Sequence, residues 1–249
     1  MARPLDRVVL FGATSAVAQA MGRLLAARRA RLFLVGRDPD RLEAVAADLT
    51  VRGARVEGRA VADLDQVAGH ASLVAAAAAA LGRLDLVVIA QGALGDQAAS
   101  EADPAAAERV LRTNFVGPAL LAQAAGRALT AQRAGVLVGI SSVAGDRGRQ
   151  SNYVYGAAKG GFSTFLEGLR NRLHREGVAV VTVKPGLIAS PMTAHLPPSR
   201  LQASPRAVAA RILRAAARGQ AVVYAPGPWR LVMLVIRHLP GAIFDRLRL

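Results

Sequence analysis

Short apolar runs separated by helix-like stretches recur from end to end of the 249-residue chain, and this alternation leaves few folds open. Residues 7–11, 32–35, 55–61, 86–90, 136–140, 178–183 and 221–224 read as strands. Residues 15–29, a segment opening at Asp38-Pro39, and residues 65–81, 104–130, 153–175 and 205–218 read as helices. Asp38 suits the cap of its helix, and Pro39 suits the first helical position, where no N–H is needed. The strand runs are continuous rather than alternating, as expected when both faces of a sheet are covered. Alternating β and α elements predict an α/β fold, a doubly wound parallel sheet with helices on both faces. No linker or long repeat interrupts the pattern, so residues 1–225 read as one domain and residues 226–249 as a helical extension.

Composition narrows the chemistry. There is no cysteine, which excludes disulfides, thiolate nucleophiles and cysteine-held metals. His70, His174, His195 and His238 lie far apart and show no metal-ligand spacing. The hydrophobic fraction of 53% argues against disorder. A formal charge of +15 raises the question of nucleic acid, but the arginines are scattered along the whole chain and form no stripe. A nucleic-acid partner is therefore discounted, while phosphates or acidic lipid surfaces remain compatible with the charge. The first apolar stretch, Val8 to Phe11, runs straight into a glycine turn and not into a signal-peptide pattern. Together with the lack of cysteine, this predicts a cytoplasmic protein.

In doubly wound sheets, ligands sit beyond the carboxyl ends of the strands. Gly12, Thr14, Ser15, Ala16 and Val17 follow the first strand, where a helix start would aim N–H groups at a pyrophosphate. Alanine occupies positions 16 and 18, where the usual fingerprint carries glycine, and Thr14 and Ser15 serve equally well as helix caps. The second strand ends at Gly36-Arg37. A cation there suits a 2′-phosphate, whereas an acid would suit a 2′-hydroxyl. NADP(H) is the expected cofactor, and Asp38 is assigned to capping. Asp63 and Leu64 follow the third strand, and Ala90, Gln91 and Gly92 the fourth. Each could line the adenosine and ribose or simply end a strand.

After the fifth strand, Ser142 is followed thirteen residues later by Tyr155, and Lys159 comes four residues after that. Positions i and i+4 share a helix face. An ammonium beside a phenol stabilises the phenolate and lowers its pKa, and the Ser142 hydroxyl can bond both the phenol and a substrate oxygen. An ordinary amphipathic helix with an exposed lysine is the plainer alternative. The chain, however, has only two lysines against thirty arginines, so a lysine kept four residues after a tyrosine runs against its own bias.

Gly12, Asp63, Ala90-Gln91-Gly92, Asn114, Ser142, Tyr155, Lys159 and Pro185-Gly186 resemble, in order and spacing, the short-chain dehydrogenase/reductase family, over roughly residues 5–225. The resemblance implies a Rossmann-type sheet of about seven strands and interconversion of a ketone and a secondary alcohol. It implies that Tyr155 is the general acid as hydride arrives from nicotinamide C4. It further implies that Lys159 holds the nicotinamide ribose, Ser142 positions the carbonyl, and Asn114 holds a water in a proton relay. Pro185, Gly186, Ile188 and Ser190 match the loop that clasps the carboxamide, with Ser190 standing where threonine is more common. Homo-oligomers are usual in that family. A scaffold that binds NADP(H) without catalysis is the alternative of another class, and the intact Asn114, Ser142, Tyr155 and Lys159 set speaks against it.

The tail carries Trp229 and the apolar run Leu231 to Ile236, far short of the roughly 20 residues that span a bilayer. It reads either as a helix closing the core or a subunit interface, or as an interfacial helix flanked by Arg230, Arg237, Arg246 and Arg248. The opening Gly-Ala-Thr-Ser-Ala and this tail resemble a subgroup that includes the keto-reductase partner of decaprenylphosphoryl-ribose 2′-epimerisation. That likeness implies a lipid-linked sugar ketone and peripheral contact with the inner face of the membrane.

Overall fold

The computed structural model describes residues 3–194, 199 and 201–247. His195 and Arg248 lie outside the described residues. Seven strands form one parallel sheet: β1 (Arg7–Phe11), β2 (Arg31–Gly36), β3 (Arg55–Val61), β4 (Leu86–Ile89), β5 (Val136–Ile140), β6 (Ala179–Pro185) and β7 (Val222–Ala225). Their order is β3-β2-β1-β4-β5-β6-β7, so the chain reverses its direction of winding between β1 and β4. A crevice opens at such a reversal, on the side of the strands' carboxyl ends.

Successive strand residues point to opposite faces, which divides the core in two. Val8 and Leu10 of β1 join one layer with Met21, Leu25, Leu34 and Ile212. These come from α1 (Ala16–Ala26), β2 and α8 (Pro205–Arg218), with α2 (Pro39–Val51) covering the same face. Val9 and Phe11 join the other layer with Leu81, Leu121, Phe162 and Leu166. That face is covered by α3 (His70–Leu81), α6 (Gly117–Ala131) and α7 (Tyr153–His174). Burying each such leucine or phenylalanine contributes about 1.5–3 kcal/mol before entropy is counted. The expected α/β doubly wound architecture is the one observed.

Two local expectations are corrected. β3 alternates between half-buried and exposed residues and is not a continuous apolar run, because it is the edge strand and only one of its faces is covered. The single helix expected over residues 104–130 is two helices, α5 (Pro104–Leu111) and α6, joined by a π-helical turn at Arg112–Val116. A short helix, α4 (Gln97–Ala102), precedes them, capped by Asp96. Beyond β7 the tail forms α9 (Trp229–His238) and α10 (Gly241–Phe244).

Candidate active site

One cleft of about 1120 Å³ runs along the carboxyl ends of the strands. Gly12, Thr14, Ser15, Ala16 and Val17 line it at the turn after β1. Gly12 has φ +78°, and a β-carbon there would lie 2.8 Å from the Gln91 amide nitrogen. Only glycine lets this turn pass so close to the end of β4. Ser15 caps α1, its Oγ accepting from the Ala18 N–H at 3.3 Å. The first-turn N–H groups of Ala16 and Val17 have no acceptor within the helix and are available to an anion. Ala18 is fully buried, so the alanine at this departure from the fingerprint packs inward and leaves the turn open.

Arg37 lines the cleft beyond β2 and is exposed. Asp38 caps α2, accepting from the Arg41 N–H at 3.0 Å, as expected. That cap turns a second cation, Arg41, toward the same end of the cleft. Arg41 was not anticipated; its signal is the i+4 spacing from Arg37 across the helix start. Asp63, Leu64, Ala90, Gln91 and Gly92 line the next stretch. Asp63 accepts from the Asp65 N–H at 3.0 Å. Gln91 Oε1 is buried and has no hydrogen-bond partner among the described residues.

Beyond β5, Ser142, Tyr155 and Lys159 line a common wall. Close backbone packing sets their approach. A β-carbon on Gly145 would lie 2.5 Å from the Gly160 nitrogen, so only glycine allows the turn after Ser142 to rest on α7. Ser141 Oγ donates to the Lys159 carbonyl at 2.8 Å and fastens α7 at that point. Ser142 Oγ accepts from the Ala144 N–H at 3.1 Å, which fixes the hydroxyl beside the Tyr155 phenol. Lys159 Nζ is buried, donates to the Ile140 carbonyl at 3.1 Å and stands 5.8 Å from the centre of the Tyr155 ring. Burial lowers the Lys159 ammonium to about 8.

The expected fall in the phenol's pKa is reversed here. Burial drives Tyr155 upward, and the Ser142 hydroxyl opposes that shift only in part. Desolvation penalises the phenolate, and the ammonium is not close enough to compensate.

Asn114 sits fully buried in the π-helical turn. Its Nδ2 donates to the carbonyls of Ala93 at 2.8 Å and Val110 at 2.9 Å, and its Oδ1 accepts from the Ala93 N–H at 3.2 Å. The amide therefore clamps the loop after β4 against the helix. A β-carbon on Gly92 would lie 3.0 Å from Asn114 Oδ1 and 3.2 Å from Lys159 Nζ, so Gly92 forms the floor between the two.

Pro185, Gly186, Ile188 and Ser190 line the far end. Trp229 joins them from α9, a residue not anticipated in the cleft. A β-carbon on Gly186 would lie 2.0 Å from Trp229 Nε1, and that nitrogen donates to the Leu201 carbonyl at 3.3 Å. The tail is tied to the loop that follows Ser142 as well. Arg147, five residues after Ser142, donates to the carbonyls of Ile236 and Leu239, both at 2.6 Å, and its guanidinium lies 3.8 Å from the Phe244 ring centre. Asp146 accepts from the Tyr224 hydroxyl at 2.7 Å and pairs with Lys184, which accounts for the second of the two lysines.

The sequence profile described as short chain dehydrogenase matches residues 6–200. An uncharacterised oxidoreductase of Streptomyces coelicolor is 40% identical over 245 residues, 98% of this chain and 96% of its own. An uncharacterised oxidoreductase of Mycobacterium tuberculosis is 39% identical over 241 residues, 96% of each. The crystal structure of levodione reductase superposes with a TM-score of 0.82 at 26% identity, covering 92% of this chain and 99% of that one.

Proposed function

The chain belongs to the short-chain dehydrogenase family, and on that premise we propose that it interconverts a ketone and a secondary alcohol using NADP(H). The observation that carries this reading is a single cleft lined by Gly12 and Arg37 at one end and by Ser142, Tyr155 and Lys159 at the other. The residues present suit a dinucleotide phosphate. The Gly12 turn passes too close to β4 for any side chain, Gln91 Oε1 awaits a donor, and Arg37 and Arg41 flank the position beyond β2. The 2′-phosphate would lie against those two guanidiniums, and the pyrophosphate against the first turn of α1.

When bound, the nicotinamide supplies or accepts the hydride. The residues of the chain handle the proton and the orientation. Burial keeps the Tyr155 phenol protonated near neutrality, so its O–H is ready to protonate a carbonyl oxygen. The Ser142 hydroxyl donates to the same oxygen and holds it within reach. Lys159, charged at pH 7 but titrating at about 8, lies on the same wall and adds a positive charge to the field in which the alkoxide and phenolate develop. The kinship with levodione reductase supports a carbonyl substrate.

A panel of cyclic and acyclic ketones, followed by loss of NADPH absorbance, tests the reading. Tight NADPH binding with no turnover on any of them would point instead to the scaffold role. Arg37→Asp is expected to raise the Michaelis constant for NADPH by about 10- to 100-fold, the worth of a charge-assisted phosphate contact, and to leave that for NADH within about threefold. Equal effects on the two cofactors would refute the phosphate assignment.

A second reading, a lipid-linked ketone met at the inner membrane surface, is favoured by one feature of α9. Its inner face carries Trp229 into the cleft, while Leu231, Leu234 and Val235 point outward and are 69%, 56% and 62% exposed. Arg230 and Arg237 flank this apolar face, and Arg246 follows it. No helix among the described residues is long and apolar enough to cross a membrane. An apolar face with flanking cations suits an anionic bilayer surface. The protein is expected to float with phosphatidylglycerol vesicles and not with phosphatidylcholine vesicles. Leu231→Ser with Leu234→Ser should weaken that partitioning by about 100-fold or more, given about 1.5–3 kcal/mol for each buried leucine. Protein that stays at the bottom of the gradient with anionic vesicles rules the reading out.

A further inference from the structure

The loop between the turn after β5 and α7 carries two arginines, and their situations differ. Arg147 spends its guanidinium on tail carbonyls and on the Phe244 ring. Arg149 lines the cleft on the wall of Ser142 and Tyr155. Its Nε is buried without a hydrogen-bond partner, and no carboxylate pairs with it among the described residues. Its backbone carbonyl accepts from the Asn152 N–H at 3.1 Å, so the loop closes into a turn at this point. Partial burial lowers its pKa, in keeping with a cation drawn part-way out of water with no carboxylate beside it among the described residues.

A cation half withdrawn from water, with its Nε fully covered, is stabilised by a counter-charge that offsets the lost hydration. The cofactor's own anions do not provide it. They belong with Arg37 beyond β2 and with the first turn of α1 beyond β1, and these strands stand three and two strand spacings from β5, about 14 Å and 10 Å across the sheet. The missing partner therefore comes with the substrate. We infer that Arg149 is the oxyanion-recognition point of the substrate pocket, so that the preferred ketone carries a carboxylate or phosphate-like group on the side away from the cofactor. Asn152 Oδ1, also buried and unpartnered on the same wall, would accept from a hydroxyl beside that group.

This inference rests on the ketone-reductase reading, and the experiment separates the two. Three matched probes are used, 4-oxocyclohexane-1-carboxylate, the corresponding phosphonate and the neutral carboxamide. Each is titrated calorimetrically into NADP⁺-saturated protein and then assayed with NADPH. The wild type is expected to bind at least one of the two anions about 50-fold more tightly than the amide, and Arg149→Gln to remove that preference, as loss of a charge-assisted bond predicts. Arg149→Lys should keep part of it, which excludes a folding defect as the cause. The carboxylate and phosphonate arms tell which oxyanion fits better. Arg149-dependent anion binding without NADPH oxidation would uphold the inference and sink the redox reading. Ketone turnover with no anion preference, or a preference untouched in both variants, would overturn the inference and leave the redox reading standing.

Discussion

Tyr155→Phe is expected to lower kcat for ketone reduction by about 10³-fold while changing NADPH affinity by less than about threefold. The substitution removes one oxygen and keeps the ring that packs on the cleft wall. General acid catalysis by a positioned side chain is worth about 10²- to 10⁴-fold, and no other described hydroxyl on that wall combines reach with an adjacent ammonium. Affinity can be read without turnover. Trp229 is the only tryptophan and lines the cleft, so its emission should respond to bound NADPH in both proteins. Turnover at the wild-type rate in the mutant would mean that the proton comes from elsewhere. The direction of the phenol's shift adds a further expectation. Because burial raises Tyr155, the phenolate needed to accept a proton from an alcohol is scarce near neutrality. Alcohol oxidation should therefore accelerate as pH rises, while ketone reduction should not.

The sheet was readable from the chain because a covered parallel strand must be almost wholly apolar, and every run but that of β3 is. β5 and α8 were placed to the residue, since glycine, serine and proline punctuate their ends. The edge strand β3 was located by its flanks but misjudged in character, since Arg55, Glu57 and Arg59 alternate with less polar residues in the way of a half-covered strand. The π-helical turn at Arg112–Val116 left no trace in the pattern. It is a single wider turn inside an otherwise helical stretch. Asn114 lies in that turn and bonds Ala93, so its clamping role could be seen only in three dimensions.

The site divides along the same line. Ser142, Tyr155 and Lys159 were legible because they fall on two adjacent local elements, and because a lysine is conspicuous among thirty arginines. Trp229 was not, since it reaches the cleft across more than forty residues through packing on Gly186. Arg149 was hidden by the same arginine background that made Lys159 stand out. Only a covered and unpartnered Nε distinguishes it from its neighbours. The sign of the phenol's shift also needed the fold. Spacing alone puts an ammonium near the ring, but the balance between charge and desolvation depends on the 5.8 Å separation and on how little water reaches the wall.

Lys159→Met is expected to make the protein more stable and nearly inactive. The ammonium is buried, pairs with no carboxylate among the described residues, and donates to one carbonyl. Its pKa falls from 10.5 to about 8, a penalty of about 3 kcal/mol on folding at neutral pH. Methionine has similar length and no charge, and losing the bond to Ile140 takes back about 1 kcal/mol. The net gain of about 2 kcal/mol should raise Tm by about 5 °C in a domain of this size. The sign has a pH signature. Below pH 8 the lysine is protonated in both folded and unfolded chains, and the penalty is present in full. Between about 8 and 10.5 the unfolded chain holds the extra proton, so the wild type gains stability with rising pH and the gap to the mutant closes. Thermal melts at pH 7 and pH 10 check this, alongside a fall in kcat/KM of about 10²-fold or more at pH 7 from losing the positive charge on the cleft wall. A mutant less stable than the wild type at pH 7 would mean that the folded protein already supplies a partner for the ammonium. A tighter fold with the activity intact would mean that the charge is not used. Only the combination of a higher Tm and a lost rate fits a cation kept, at a cost to folding, for the chemistry it performs.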